Sequence, residues 1–124
     1  MRSLVLKAYW KLIVFDSYLT RGDFCGLYQR VRTHRLQRVQ ALNDTIARIC
    51  SAVDRASIWY WKPVLCLHRS AVIACLLKSY GVRAEMIIGA QHLPFKAHAW
   101  VEVDGRVVND KPYTPELYQV LDRC

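Results

Sequence analysis

The apolar positions change their spacing halfway along the chain, and that change predicts most of the fold. In the first half they recur at helical steps. Leu4, Val5, Ala8, Leu12 and Phe15 form one stripe, and Leu36, Val39, Leu42, Ile46, Ile49 and Val53 form a second at steps of three or four, the period of a helix with one buried face. Thr20-Arg21-Gly22-Asp23 supplies a turn between them. Arg32, Arg35, Arg38, Arg48 and Arg55 fall off the second stripe, as expected of a solvated helical face. Trp59-Tyr60-Trp61 closes this half, and adjacent aromatics there are expected to plug the seam between the helices and the second half of the chain.

Pro63 cannot continue a helix interior, yet Val72, Ile73, Leu76, Leu77 and Tyr80 make a further helical stripe that stops at Gly81. The pattern predicts a central helix over about Leu65 to Tyr80. β-branched and alternating segments come next at Ala84 to Gly89, Ala97 to Val103 and Arg106 to Asp110, with Gln91 to Lys96 and its Pro94 joining the first two. Helices, a central helix and a small antiparallel meander, in that order, make an α+β layout.

A chain of 124 residues that is 53% hydrophobic and 23% charged has the size and core of one domain, read here as residues 1–124. Leu4 to Phe15 is cut by Lys7 and Lys11, is shorter than a membrane-spanning helix and lacks a small-residue cleavage site, so neither a membrane span nor a secretory signal is expected. Five cysteines without a close pair or a repeated spacing suit a reducing compartment better than a disulfide framework, and they lack the spacing of a zinc site. Residues 1–62 carry 11 Lys and Arg against 4 Asp and Glu; residues 63–124 carry 7 against 6. The basic front half can steer nucleic acid, anionic lipid or an acidic protein segment toward it and by itself chooses none of them. No recognised nucleic-acid motif accompanies that charge, so nucleic acid is not the expected partner.

Cys66 falls at the predicted start of the central helix, where unpaired N–H groups and the helix dipole favour a nucleophilic thiolate. Cys75, half a turn out of phase, points to the other side. A thiolate that cleaves an acyl bond needs a base, and the base needs a group to orient it. His68, two positions from Cys66, turns away from it on the same helix. His34 and His92 are expected at the surface. His98 opens a strand in Ala97-His98-Ala99-Trp100 and is the candidate base.

Two hairpin registers are open for its partner. An Asp104-Gly105 loop pairs Val103 with Arg106 and Ala99 with Asp110, which puts Asp110 on the face opposite His98. A three-residue Val103-Asp104-Gly105 loop pairs Glu102 with Arg106, Val101 with Val107 and Trp100 with Val108, and sets Asp110 directly across from His98. Charge pairing at the tip favours the second register. Asp104 is then a turn residue. The backbone N–H of Cys66 is a natural oxyanion donor, and a second donor stays unassigned. Trp61 and Trp100 are expected in the core.

The string Cys66-Leu67-His68-Arg69-Ser70, then Tyr80-Gly81-Val82, Ile88-Gly89, Pro94-Phe95, His98-Ala99-Trp100-Val101-Glu102-Val103-Asp104-Gly105 and Val108-Asn109-Asp110, resembles the transglutaminase-like leader peptidases of lasso-peptide biosynthesis. The resemblance spans roughly Pro63 to Arg123. It implies a papain/transglutaminase-like core over residues 63–124 behind a basic helical region over 1–62. It implies Cys66 as nucleophile, His98 as general base and acid, Asp110 as orienter, and no metal or organic cofactor. The activity implied is that of a bacterial, cytoplasmic cysteine peptidase that cuts the leader from a ribosomal precursor peptide before a separate cyclase closes the ring. With no winged-helix-like pattern in residues 1–62, the chain resembles the split type, which works with a separate leader-binding protein. The basic helical half is the expected docking surface for that partner or for the precursor, with Arg32, Arg35 and Arg38 the residues whose charge reversal tests it. A non-catalytic subunit of the maturation complex and a thiol-dependent acyltransferase are the alternatives.

Overall fold

In a computed structural model, which describes residues 2–34, 45–92 and 95–124, the first turn falls where the sequence sets it. Helix α1 (Arg2–Thr20) ends at Gly22, whose φ of +71° suits a residue without a Cβ. The Asp23 carboxylate then caps α2 (Phe24–Thr33) by accepting from the Gly26 N–H at 2.9 Å. Helix α3 (Thr45–Trp59) buries Ile49 and Val53 of the second stripe. Leu36, Val39 and Leu42 of that stripe, with Arg35 and Arg38, lie outside the described residues.

Helix α4 (Cys66–Ser79) matches the predicted central helix to within a residue at each end, and Gly81 follows it at φ +82°. It is more deeply set than a one-faced stripe requires: every residue from Ser70 to Lys78 is buried. Helices α1, α2 and α3 pack on it. The Lys78 amine donates to the Val31 carbonyl at 2.7 Å, satisfying one of the last-turn acceptors of α2. Of the three adjacent aromatics only Tyr60 plugs the seam. Its hydroxyl donates to Asp16 at 2.9 Å, and Asp16 also pairs with Lys62 at 2.5 Å. Trp59 and Trp61 are 79% and 71% exposed, because the aromatics on either side of an inward-facing residue point outward.

The sheet comprises β1 (Ala84–His92), β2 (Phe95–Val103), β3 (Arg106–Val107) and, after the short helix α5 (Thr114–Leu117), β4 (Gln119–Arg123). Its order is β3-β2-β1-β4, with antiparallel pairing throughout. The expected simple meander is therefore extended by β4, which the chain reaches by crossing from one edge of the sheet to the other. Adjacent Val120 and Leu121 break the alternation by which such a strand would announce itself. The expected Gln91–Lys96 connection is ladder instead, with Gln91 paired to Lys96 and His92 to Phe95. Pro94 and the His92 side chain lie outside the described residues. One face of the sheet, carrying Met86, Ile88, Val101 and Val103, packs with α4 into the main core. Among the described residues no helix is long and apolar enough to cross a membrane.

Candidate active site

Cys66 begins α4. Leu65 precedes it in extended conformation and has no side chain that could cap the helix, so the first-turn N–H groups are open to an anion. The thiol is half-buried. Four residues on, and so on the same helical face, the buried Ser70 hydroxyl donates to the Ala99 carbonyl of β2 at 3.2 Å. That contact fixes the helix that Cys66 opens against the strand that carries His98.

His98 and Asp110 are in contact, Nε2 to carboxylate, at 2.5 Å. The favoured hairpin register is nevertheless wrong. Val103 pairs with Arg106 and Glu102 with Val107 across a two-residue Asp104-Gly105 loop. Both loop residues have positive φ, +52° and +77°, the geometry that matches the twist of paired strands. Asp104 is a turn residue, as expected. Continued, this ladder would set Asp110 against Ala99, on the wrong face. The chain leaves the ladder first. Val108 donates to the Val101 carbonyl at 3.0 Å, but the return bond is not made by Val108. The Val101 N–H donates instead to Asn109 Oδ1 at 2.8 Å, and the Val108 carbonyl faces the Cys50 thiol at 3.7 Å. Asn109 Nδ2 then donates to Ser70 Oγ at 3.1 Å. This substitution of a side chain for a strand lets Asp110 turn toward His98.

Burial alone would raise the Asp110 carboxyl. Hydrogen bonds from His98 and the Lys111 N–H, with the charges of His98 and Arg69, outweigh it and hold the group below the usual carboxylate range. An ionised carboxylate only accepts, so Nε2 carries the proton of this bond. Aromatic rings fix the imidazole plane: Tyr118 stacks on it at 5.3 Å and Trp100 lies 6.0 Å away. Trp100 is in the core as expected, its indole donating to Glu102 at 2.8 Å. Gly89, paired with His98, has to lack a Cβ, which would stand 2.8 Å from both Trp100 Cη2 and Tyr118 Cβ.

By strand alternation His98 shares a sheet face with Trp100, whereas α4 covers the other. Beyond the two residues that β3 pairs, the β2 edge is met by Val108, Asn109 and the Ser70 hydroxyl of α4.

The remaining candidates sort by burial. His68 points away from the strands into the helical layer, against the Leu12 carbonyl at 2.5 Å, and burial lowers its affinity for a proton. His34 is not a free surface residue: it is half-buried and bonded to Ser79 Oγ at 2.9 Å, because α2 ends against α4. Burial pushes the Cys50 and Cys75 thiols up to about 11, and raises Cys124 too. Cys25 is exposed. Arg32 is engaged, its guanidinium 2.9 Å from both Asp122 carboxylate oxygens. Among the described residues no three His, Cys, Asp or Glu side chains gather to hold a metal ion.

Ser70, Asn109 and Tyr118 are site residues that sequence reasoning missed. Ser70 and Asn109 stand beside candidates, within Cys-Leu-His-Arg-Ser and Val-Asn-Asp, and a short polar residue at the end of an apolar strand is the signal that could have marked Asn109. Tyr118 arrives only with the unforeseen crossover.

A family model described as transglutaminase-like superfamily matches residues 11–123. The microcin J25-processing protein McjB of Escherichia coli is 43% identical over 56 residues, which cover 45% of this chain and 27% of that protein. The chain thus aligns with about a quarter of that relative's length. No solved structure matches it.

Proposed function

The chain belongs to the transglutaminase-like superfamily, and on that premise we propose that it is a cysteine peptidase that removes the leader from a ribosomally made lasso-peptide precursor. The observation that carries the reading is the His98–Asp110 hydrogen bond on a strand tied, through Ser70, to the helix that Cys66 opens. The partial likeness to a microcin-processing protein supports the substrate class.

His98 Nδ1 takes the Cys66 proton, and the thiolate attacks the scissile carbonyl. The first-turn N–H groups of α4, that of Cys66 first, receive the oxyanion. His98 returns its proton to the departing amine as the C–N bond breaks, leaving a thioester on Cys66 and the core peptide with a free N-terminus. Water, deprotonated by His98, hydrolyses the thioester and regenerates the thiol. Asp110 holds the imidazole's tautomer and stabilises the imidazolium. No step calls for a metal or an organic cofactor. The reaction belongs in a bacterial cytoplasm, ahead of a separate cyclase.

A leader-binding protein presents the precursor. Arg32 is paired with Asp122, Arg35 and Arg38 lie outside the described residues, and the basic helical region offers a landing place on α1. Helix α1 leaves Leu6, Trp10 and Ile13 exposed at helical spacing, beside Lys7 and Lys11. These lysines border a groove of about 540 Å³ that reaches Leu76 and Tyr80 at the far end of α4. An apolar anchor flanked by carboxylates complements it. The far end of α4 is roughly 20 Å from Cys66 at 1.5 Å per residue, so a partner there leaves the cleft to the precursor.

The test is cleavage of a precursor by the purified chain with its leader-binding partner, read by mass. Hydrolysis by the wild type and none by Cys66→Ala or His98→Ala is expected; leader removal by either variant sinks the assignment, and cross-linked products replace hydrolysis with acyl transfer. Trp10→Glu and Lys11→Glu weaken partner binding by titration, and unchanged affinity removes the α1 surface from the proposal.

A further inference from the structure

Three elements carry the three candidate groups: α4 carries Cys66, β2 carries His98, and the departing strand carries Asp110. One polar bridge touches all three. Ser70 of α4 donates to the Ala99 carbonyl, beside His98, while accepting from Asn109 Nδ2. Asn109, beside Asp110, accepts in turn from the Val101 N–H of the same β2 edge. The bridge closes a ring: Ala99 carbonyl, Ser70 hydroxyl, Asn109 amide, Val101 N–H. Ser70 is fully buried and Asn109 half-buried, and a hydrogen-bonded network of this kind favours one arrangement.

We propose that Ser70 and Asn109 are positioning residues, which set the Cys66 thiol in register with the His98–Asp110 couple; the inference rests on the cysteine chemistry proposed above. A purely structural role would be met by apolar packing at the same volume. The ring instead supplies direction at the place where the strand ladder stops. Asn109 occupies the ladder position that Val108 gives up, so the turn that delivers Asp110 and the contact that seats α4 are one event. Neither residue is itself placed to touch the reacting atoms: Ser70 lies one turn beyond the thiol, and the Asn109 amide is bonded to Val101 and Ser70. Their effect is therefore on the step in which the proton passes between sulfur and nitrogen, and not on precursor binding.

The experiment compares Ser70→Ala, Ser70→Thr and Asn109→Ala with the wild type, each as the full chain. Two readouts are used: kcat and KM for precursor cleavage, and the pH profile of Cys66 alkylation by iodoacetamide, mapped by mass. Thermal melts establish that the variants are folded. The expected result is a fall in kcat of about 10- to 100-fold for both alanine variants with KM little changed, the cost of a displacement of around an ångström. Their alkylation profile moves to that of His98→Ala. Ser70→Thr, which keeps the hydroxyl, restores both. Should Asn109→Ala fail to fold, Ser70→Ala carries the test, since it removes a single oxygen. Wild-type kcat and a wild-type alkylation profile in Ser70→Ala, beside a shifted profile in His98→Ala, overturn the proposal. Alkylation needs no precursor, so it judges the bridge even where the peptidase reading fails for want of cleavage.

Discussion

Asp110 reaches His98 from a strand whose register would have paired it with Ala99. The carboxylate gains the imidazole only because the chain quits the ladder at Val108, with Asn109 supplying the missing acceptor to Val101. The contact is thus a product of where pairing ends. Replacing Asp110 by Asn keeps a hydrogen-bond acceptor but removes the charge that stabilises an imidazolium. Cleavage is expected to persist at about 10²- to 10⁴-fold reduced kcat, whereas Cys66→Ala abolishes it. Equal losses in both variants, measured by single-turnover cleavage, would contradict the division of labour.

Gly89→Ala drives a methyl group into Trp100 and Tyr118, the rings that hold the His98 plane. Overpacking of this sort costs about 1–3 kcal/mol. A lower denaturation midpoint is expected together with reduced cleavage at temperatures where the variant is still folded. Unaltered activity there would mean that the aromatic stack does not hold the imidazole.

Cysteine labelling separates the thiols by environment. Cys50 and Cys75 are held up to about 11 by burial, so both remain protonated and shielded at neutral pH. Cys25 is exposed and so accessible to the reagent. The decisive comparison is Cys66 with Cys25: although half-buried, Cys66 is expected to react faster below neutrality, and to lose that advantage in His98→Ala. Peptide mapping after brief alkylation measures it.

The chain is expected to lose stability in mild acid. Burial lowers the proton affinity of His68, with Lys62 adding to the effect while Asp16 and the bond to Leu12 oppose it. His34 is lowered by burial too, with Lys11, Lys78 and Arg30 nearby. A base depressed in the folded state leaves the unfolded chain binding more protons, so stability falls as pH drops below the ordinary histidine value of 6.5 and levels off beneath the folded-state value. His68→Gln keeps a donor for the Leu12 carbonyl and removes the titration. Melting curves between pH 7 and about 5 should fall less steeply for that variant; identical slopes would exonerate His68.

What the sequence discloses divides along physical lines. Local signals served well: the Gly22 turn, the Gly81 stop and the span of α4 each depend on residues within a turn of one another. Register did not, because electrostatic pairing of Glu102 with Arg106 weighs less than the fit of a two-residue loop to strand twist. Asp110 was found beside His98 through the wrong pairing, and the reason lies in a hydrogen bond that only a folded chain can make. The partners of Asn109 and Tyr118 are set by long-range docking, of which periodicity keeps no trace. Trp61 and His34 show the same limit from the other side, since hydrophobicity foretold an interior that geometry denied to one, and a polar ring was drawn inward where α2 meets α4.

Helix α4 is sheathed by three helices on one side and a sheet on the other, and Cys66 is its first residue. Amides in its buried stretch, Ser70 to Lys78, are expected to exchange with solvent only when the whole molecule opens. The sulfur is accordingly mounted at the open end of the helix whose buried middle is expected to come apart last. Heat or denaturant should extinguish its reactivity and the global transition together, with no dead but folded species between them.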